Sequence, residues 1–147
     1  MPSVLGGLSV AVVLALAAYV PSLAGSFFAD DRVYVVENEA LRSIPLSEPW
    51  RFFTARTNPF EVLPVRDLSL RVDLELFGDD PLGYRLHNLL LYALCCLAAW
   101  LCTRAVVRVL HPAAAAPRRL AACATALFAA HPAHVESVAW VSGRKDL

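Results

Sequence analysis

The chain has 147 residues, of which 58% are hydrophobic and only 18% charged, against roughly 45–50% apolar in an ordinary soluble domain. Thirteen Lys and Arg balance thirteen Asp and Glu, so nothing in the charge supports a nucleic-acid binder, which needs a basic excess. Mean hydropathy is +0.54, and the apolar residues come in long uncharged blocks, which argues against one water-soluble domain and for spans in a membrane.

Residues 1–29 contain no Asp, Glu, Lys, Arg or His. Within them, 4–28 is long enough for a membrane helix, since about 20 residues cross a bilayer core. A cleaved signal peptide would carry a basic start and a shorter apolar run of roughly 7–15 residues, so a retained span is expected. The second block begins at Leu86 and is bounded by Arg104 and Arg108, giving an expected span over 86–108. The third, 120–141, is interrupted by His131, His134 and Glu136 and reads as a span whose far end turns polar. The basic connection at 109–119, with Arg118 and Arg119 beside Arg104 and Arg108 and no acid, marks the cytoplasmic side. The long segment 29–85 then lies outside. It carries eleven of the thirteen acids against seven arginines. All four cysteines (Cys95, Cys96, Cys102, Cys123) fall in apolar blocks, where they read as reduced, space-filling thiols.

Along the outer segment, Asp30 and Asp31 stand just past the first span. Arg32–Val36 is β-branched and aromatic, which suggests a short extended piece. Trp50-Arg51-Phe52-Phe53 suits a membrane interface. Leu68 to Leu76 alternates apolar with polar, as a strand would, yet the same residues form i, i+4 rows, and the pattern leaves strand and helix open. Gly78-Asp79-Asp80-Pro81 ends that stretch, with either Asp able to cap the next element.

Four stretches in order carry a resemblance: Phe28-Ala-Asp-Asp31; Leu63-Pro-Val-Arg-Asp-Leu-Ser-Leu70; Leu76-Phe-Gly-Asp-Asp-Pro-Leu-Gly-Tyr-Arg-Leu-His-Asn-Leu-Leu-Leu-Tyr92; and Leu127 to Leu147, ending HPAHVESVAWVSGRKDL. Together they resemble the start of the membrane O-mannosyltransferases with C-terminal tetratricopeptide repeats, whose animal members act on cadherins and which have bacterial relatives. The resemblance implies an all-α membrane protein with about three transmembrane helices here, part of a larger C-type glycosyltransferase module. It also implies a fragment without transfer activity of its own, the remaining helices and the repeats being absent from these 147 residues.

The parent activity so implied is inverting transfer of a sugar, mannose above all, from a polyprenyl phosphate to protein Ser or Thr hydroxyls. The partners are membrane lipid, the lipid-linked donor and the protein acceptor, in a bacterial inner membrane or the endoplasmic reticulum. A phosphate leaving group needs little acid help; the attacking hydroxyl needs a base. The resemblance puts the acidic pair of the first outer loop at Asp30 and Asp31, and adjacency would push one carboxyl upward. Asp31 is taken first. Arg66 is the candidate to hold the donor phosphate in a bidentate pair, with Arg71 and Arg85 as rivals. His131, His134 and Glu136 are read as lining a wet cavity, since polar groups at a span end must be paired or solvated. They do not make the His-Glu-x-x-His zinc pattern; no metal site is assigned, and a divalent metal is left open. The other reading is non-enzymatic: a small membrane anchor or assembly protein whose polar residues are structural.

Overall fold

A computed structural model describes residues 12–13, 15–58, 60–112 and 116–147. Most of the first expected span lies outside them; its described end is an apolar helical stretch, Ala15–Ala24, that closes in a 3₁₀ turn from Val20. The described residues form helices and turns and no strand. After the turn at 28–31 come a π-helical turn, Arg32–Val36, and the short helix α1, Glu39–Ser43, capped by the Asn38 side chain on Leu41 N–H at 2.8 Å. A 3₁₀ turn, Pro49–Phe53, leads to α2, Pro64–Phe77. Then follow α3, Pro81–Leu110, α4, Pro117–Ala129, α5, His134–Ala139, and a last 3₁₀ turn, Ser142–Asp146.

The expected extended piece at 32–36 is therefore wrong. Val35 is fully buried beside Leu41, Ile44, Phe52 and Leu70, and a single wide helical turn delivers it there. The open case at 68–76 resolves as helix. Pro64 starts α2, where its missing N–H costs nothing, and Gly78 stops it at φ 60°, backbone that favours glycine.

α3 has 30 residues, about 45 Å at 1.5 Å per residue, against a hydrocarbon core of about 30 Å. It begins earlier than the apolar pattern suggests. Asp80 caps it by accepting from Leu82 N–H at 3.0 Å, whereas Asp79 pairs with Arg42. The first turns, with Gly83, Tyr84, Arg85 and Asn88 buried, pack inside the protein. The rest carries an exposed leucine stripe, Leu90, Leu94, Leu97 and Leu101. Among the described residues, α3 is the helix long and apolar enough to cross a membrane, and only 11% of its apolar window is buried in the protein. A soluble core helix would be covered there.

The third apolar block is not one helix. α4 ends at Ala129, and the chain turns through 130–133 before α5. Pro132 explains the break: it lacks an N–H, and its ring would collide with the carbonyl one turn back. Ala121, Thr125 and Ala129 are buried against α3, small residues that let two helices approach closely. Tyr92 on α3 donates to Ala129 O at 2.9 Å, closing the top of that contact. The four cysteines are free thiols, with Cys96 buried beside Tyr92 and Tyr19.

Candidate functional site

The acidic pair is held in a turn whose backbone is strained. Ala29 has φ 47°, a left-handed conformation that costs a non-glycine residue about 1 kcal/mol or more. The turn divides the pair. Asp30 is exposed. Asp31 is fully buried, one carboxylate oxygen accepting from Phe28 N–H at 3.1 Å and the other from Ser142 N–H at 2.8 Å. Trp140 Nε1–H reaches Phe28 O at 3.2 Å. Asp31 thus fastens the turn at 28–31 to the Ser142–Asp146 turn, and Asp30 is the carboxylate with solvent access.

α2 turns polar residues inward: Arg66, Asp67, Leu70 and Asp73 are its buried set. Arg66 pairs with Glu61 and Asp67, and its guanidinium lies 4.6 Å from the centre of the Tyr34 ring. Asp67 also accepts from Thr57. Asp73 joins two elements. One oxygen lies 2.5 Å from His87 Nδ1 on α3, and the other 2.5 Å from the Arg144 guanidinium. Arg144 further donates to Asn88 Oδ1 at 2.6 Å, Tyr84 O at 3.0 Å and Ser69 Oγ at 3.1 Å. Burial pulls the Arg144 pKa below the ordinary arginine value, and the Asp73 charge and hydrogen bond oppose it. Lys145 reaches Glu61 at 3.3 Å. Burial raises the Glu61 carboxyl, but its bonds and charge contacts with Arg66 and Lys145 outweigh that and hold it below 4.5.

Gly143 makes this approach feasible: a Cβ there would stand 2.6 Å from Glu136 O. Asn88 supports the same region from below, its amide donating to Val138 O at 3.3 Å and Trp140 O at 3.1 Å. The Trp140 carbonyl also accepts from Gly143 N–H at 3.2 Å, so Asn88 adds to the bonds that finish α5.

A cavity of about 410 Å³ opens between α2, α3 and the last turn. It is lined by Arg66, Ser69, His87, Arg144 and Lys145 together with Leu63, Val65, Leu91 and Leu147. The carboxylates that pair with these groups, Glu61, Asp67 and Asp73, are not among the lining residues. The lining therefore combines cationic residues with an apolar surface. The rival arginines do not line it. Arg85 donates to Gly25 O and Ser26 O and, at 3.3 Å, to Ala139 O. Arg71 holds Ile44 O at 3.0 Å and Glu75 at 2.8 Å.

His131, His134 and Glu136 do not line this cavity; the His131 and His134 rings lie 6.2 Å apart, centre to centre. His131 lines a separate cleft of about 780 Å³ between Ala15–Ser22 and the α4–α5 turn. His134 packs on Phe128 and Tyr92, with ring centres 4.4 and 5.2 Å apart. Glu136 is exposed. Among the described residues no group of three His, Cys, Asp or Glu is placed to hold a metal ion. The residues that sequence reasoning missed are Asp73, His87, Asn88, Arg144 and Lys145. Their signal was present: polar residues cluster in Tyr84-Arg85-Leu86-His87-Asn88 at the start of an apolar block, where they are costly unless paired.

No protein-family model and no solved structure matches the chain. Curated relatives do. The chain is 35% identical to protein O-mannosyl-transferase Tmtc1 of Drosophila melanogaster over 156 residues, covering 97% of this chain and 16% of that protein. It is 35% identical to protein O-mannosyl-transferase Tmtc2 of the same organism over 147 residues, 91% of the chain and 14% of the relative. With protein O-mannosyl-transferase TMTC4 of Homo sapiens the identity is 30% over 151 residues, 91% of the chain and 20% of the relative. The chain therefore spans a fifth or less of the length of these proteins. The family that the four motifs resemble is also the family that the chain matches along about nine tenths of its length: in sequence it is a relative of the protein O-mannosyl-transferases.

Proposed function

We propose that this chain forms the donor-binding part of an inverting membrane glycosyltransferase, one that moves mannose from a polyprenyl phosphate to protein Ser or Thr hydroxyls. The observation that carries the reading is the cavity beside α3, whose lining includes arginine, lysine and histidine as well as leucine and valine. A polyprenyl phosphate joins an anion to an apolar chain. Arg66 suits the phosphate because a planar guanidinium donates two parallel bonds to it, which it would exchange for its pairs with Glu61 and Asp67; Arg144 is already held by Asp73, Asn88, Tyr84 and Ser69 and adds its charge. Asp30 is the base that takes the acceptor hydroxyl proton; Asp31 is a positioning residue that fixes the turn. The outer segment 29–85 works on the non-cytoplasmic side, and α3 with the two other apolar blocks anchors it.

The test is transfer of labelled mannose from polyprenyl-phosphate mannose to a Ser/Thr peptide, catalysed by a longer protein carrying this chain. Arg66→Gln and Asp30→Asn are each expected to lower transfer by about 10²-fold or more. Residues 1–147 alone are expected to show none. Full transfer by the double variant would overturn the reading and favour a structural membrane anchor; turnover by residues 1–147 alone would overturn the placement of the remaining catalytic parts outside this chain.

A further inference from the structure

The Asp73–His87 pair does more than neutralise Arg144. The carboxylate at 2.5 Å from Nδ1 holds a proton on that nitrogen, as such second partners do. The other ring nitrogen, Nε2, is then free of that bond, on a side chain that lines the cavity. Neutral, the imidazole offers the cavity a lone pair; protonated, it offers an N–H and a positive charge. The charged groups around it come from every packed element. Asp73 and Arg66 belong to α2, and Arg144 and Lys145 to the last turn, while Glu61 stands behind Arg66 and Lys145. Asp73 is fully buried and cannot turn to water for a substitute partner.

We propose that His87, positioned by Asp73, is a proton-dependent ligand for the phosphate of a polyprenyl phosphodiester, so that the cavity grips its anion more tightly when the imidazole is charged. The proposal rests on the reading of the cavity as the donor site and adds a regulation to it. Asp73 sets His87 and Arg144 with its two oxygens, so one carboxylate arranges two ligands at once.

The experiment uses farnesyl methyl phosphodiester, whose single charge is constant between about pH 5.5 and 8.5, a range in which imidazole is the side chain that ordinarily titrates. Its binding to the 147-residue chain in nanodiscs is followed by calorimetry. The affinity should fall about tenfold as the pH rises through that range, the loss of one charge-assisted hydrogen bond. His87→Gln should flatten the profile at the weaker, high-pH value. Asp73→Asn should weaken the pH dependence and lower affinity throughout, because Arg144 is released too. Arg66→Gln should lower affinity at every pH and keep the slope. A flat wild-type profile, or an unchanged slope in His87→Gln, would overturn the role of His87 while leaving the cavity as a phosphate site. No binding at any pH would overturn the cavity reading itself.

Discussion

Two neighbouring aspartates behave as different chemical objects because one backbone turn points them apart. Asp31 accepts two backbone N–H groups in a buried position, and removing its charge should weaken both. Asp31→Asn is expected to lower stability by about 1.5–3 kcal/mol, read as a drop in melting temperature in detergent. Asp30→Asn should leave that melting temperature within error and abolish most transfer in the longer protein. The same pattern in both variants would refute the division of labour. Glu61 gives a pH effect of definite sign. Its carboxyl is held below 4.5 in the folded state, so the stabilisation it provides is present above that value and disappears as the pH falls through the lowered one. Melting followed downward from about pH 6 should show this loss, and Glu61→Gln should make the acid-side fall shallower.

At the scale of elements, the last turn is a small piece with a precise seat. Gly143→Ala would place a methyl against the Glu136 carbonyl, so the turn must shift and carry Arg144 out of line with Asp73 and Asn88. The expected outcome is a loss of phosphodiester affinity of about tenfold or more, with the helical circular dichroism unchanged. The long apolar helix was legible from the sequence in outline, although α3 starts at Pro81 rather than Leu86 and Asp80 was one of two caps left open; of the four cysteines expected to be buried, Cys96 is buried while Cys102 and Cys123 are exposed. The parts that were not legible share a cause. α2 buries Arg66, Asp67 and Asp73, so its inward face is polar and apolar periodicity could not separate helix from strand there. The π-helical turn at Arg32–Val36 follows tertiary packing of Val35 against its intrinsic β preference. The break at Pro132 was written in the sequence but hidden by the hydropathy of the block around it. Arg66 was singled out because its motif is local. Asp73, His87 and Arg144 were missed because they meet only through the fold.

For the whole molecule, the charge arrangement is what supports the proposed orientation. The cavity sits at the Pro81 end of α3, beside the acid-rich segment, while Arg104, Arg108, Arg118 and Arg119 gather at the other end and beyond it. Basic residues in short connections stay on the cytoplasmic side. In a variant with its native cysteines replaced, a cysteine at Ser47 is expected to react with a membrane-impermeant maleimide from the non-cytoplasmic face, and one at Ala116 only after permeabilisation. Reversed labelling would turn the molecule over and place the cavity on the cytoplasmic side. It would also remove the case for an acceptor outside the cytoplasm.

The seat of the last turn also dictates an order of events during synthesis. Asp31 and Asp73 are made early, yet the backbone of Ser142 and the guanidinium of Arg144 that complete their surroundings are made near the close of these 147 residues. Until then, each carboxylate has only one of its two partners, Phe28 N–H for Asp31 and His87 for Asp73, and burying a charge so incompletely paired is unfavourable. Segment 29–85 is therefore expected to stay open and solvated while α3, α4 and α5 are laid down. Nascent chains stopped after Val141 should be cut by protease between residues 30 and 73, and chains extended through Leu147 should resist. Equal resistance at both lengths would show that the outer segment closes without its late partners. The wait gives the chain an interval of vulnerability set by translation speed, in which a chaperone or a slow codon near residue 141 would matter more than any substitution in the finished core.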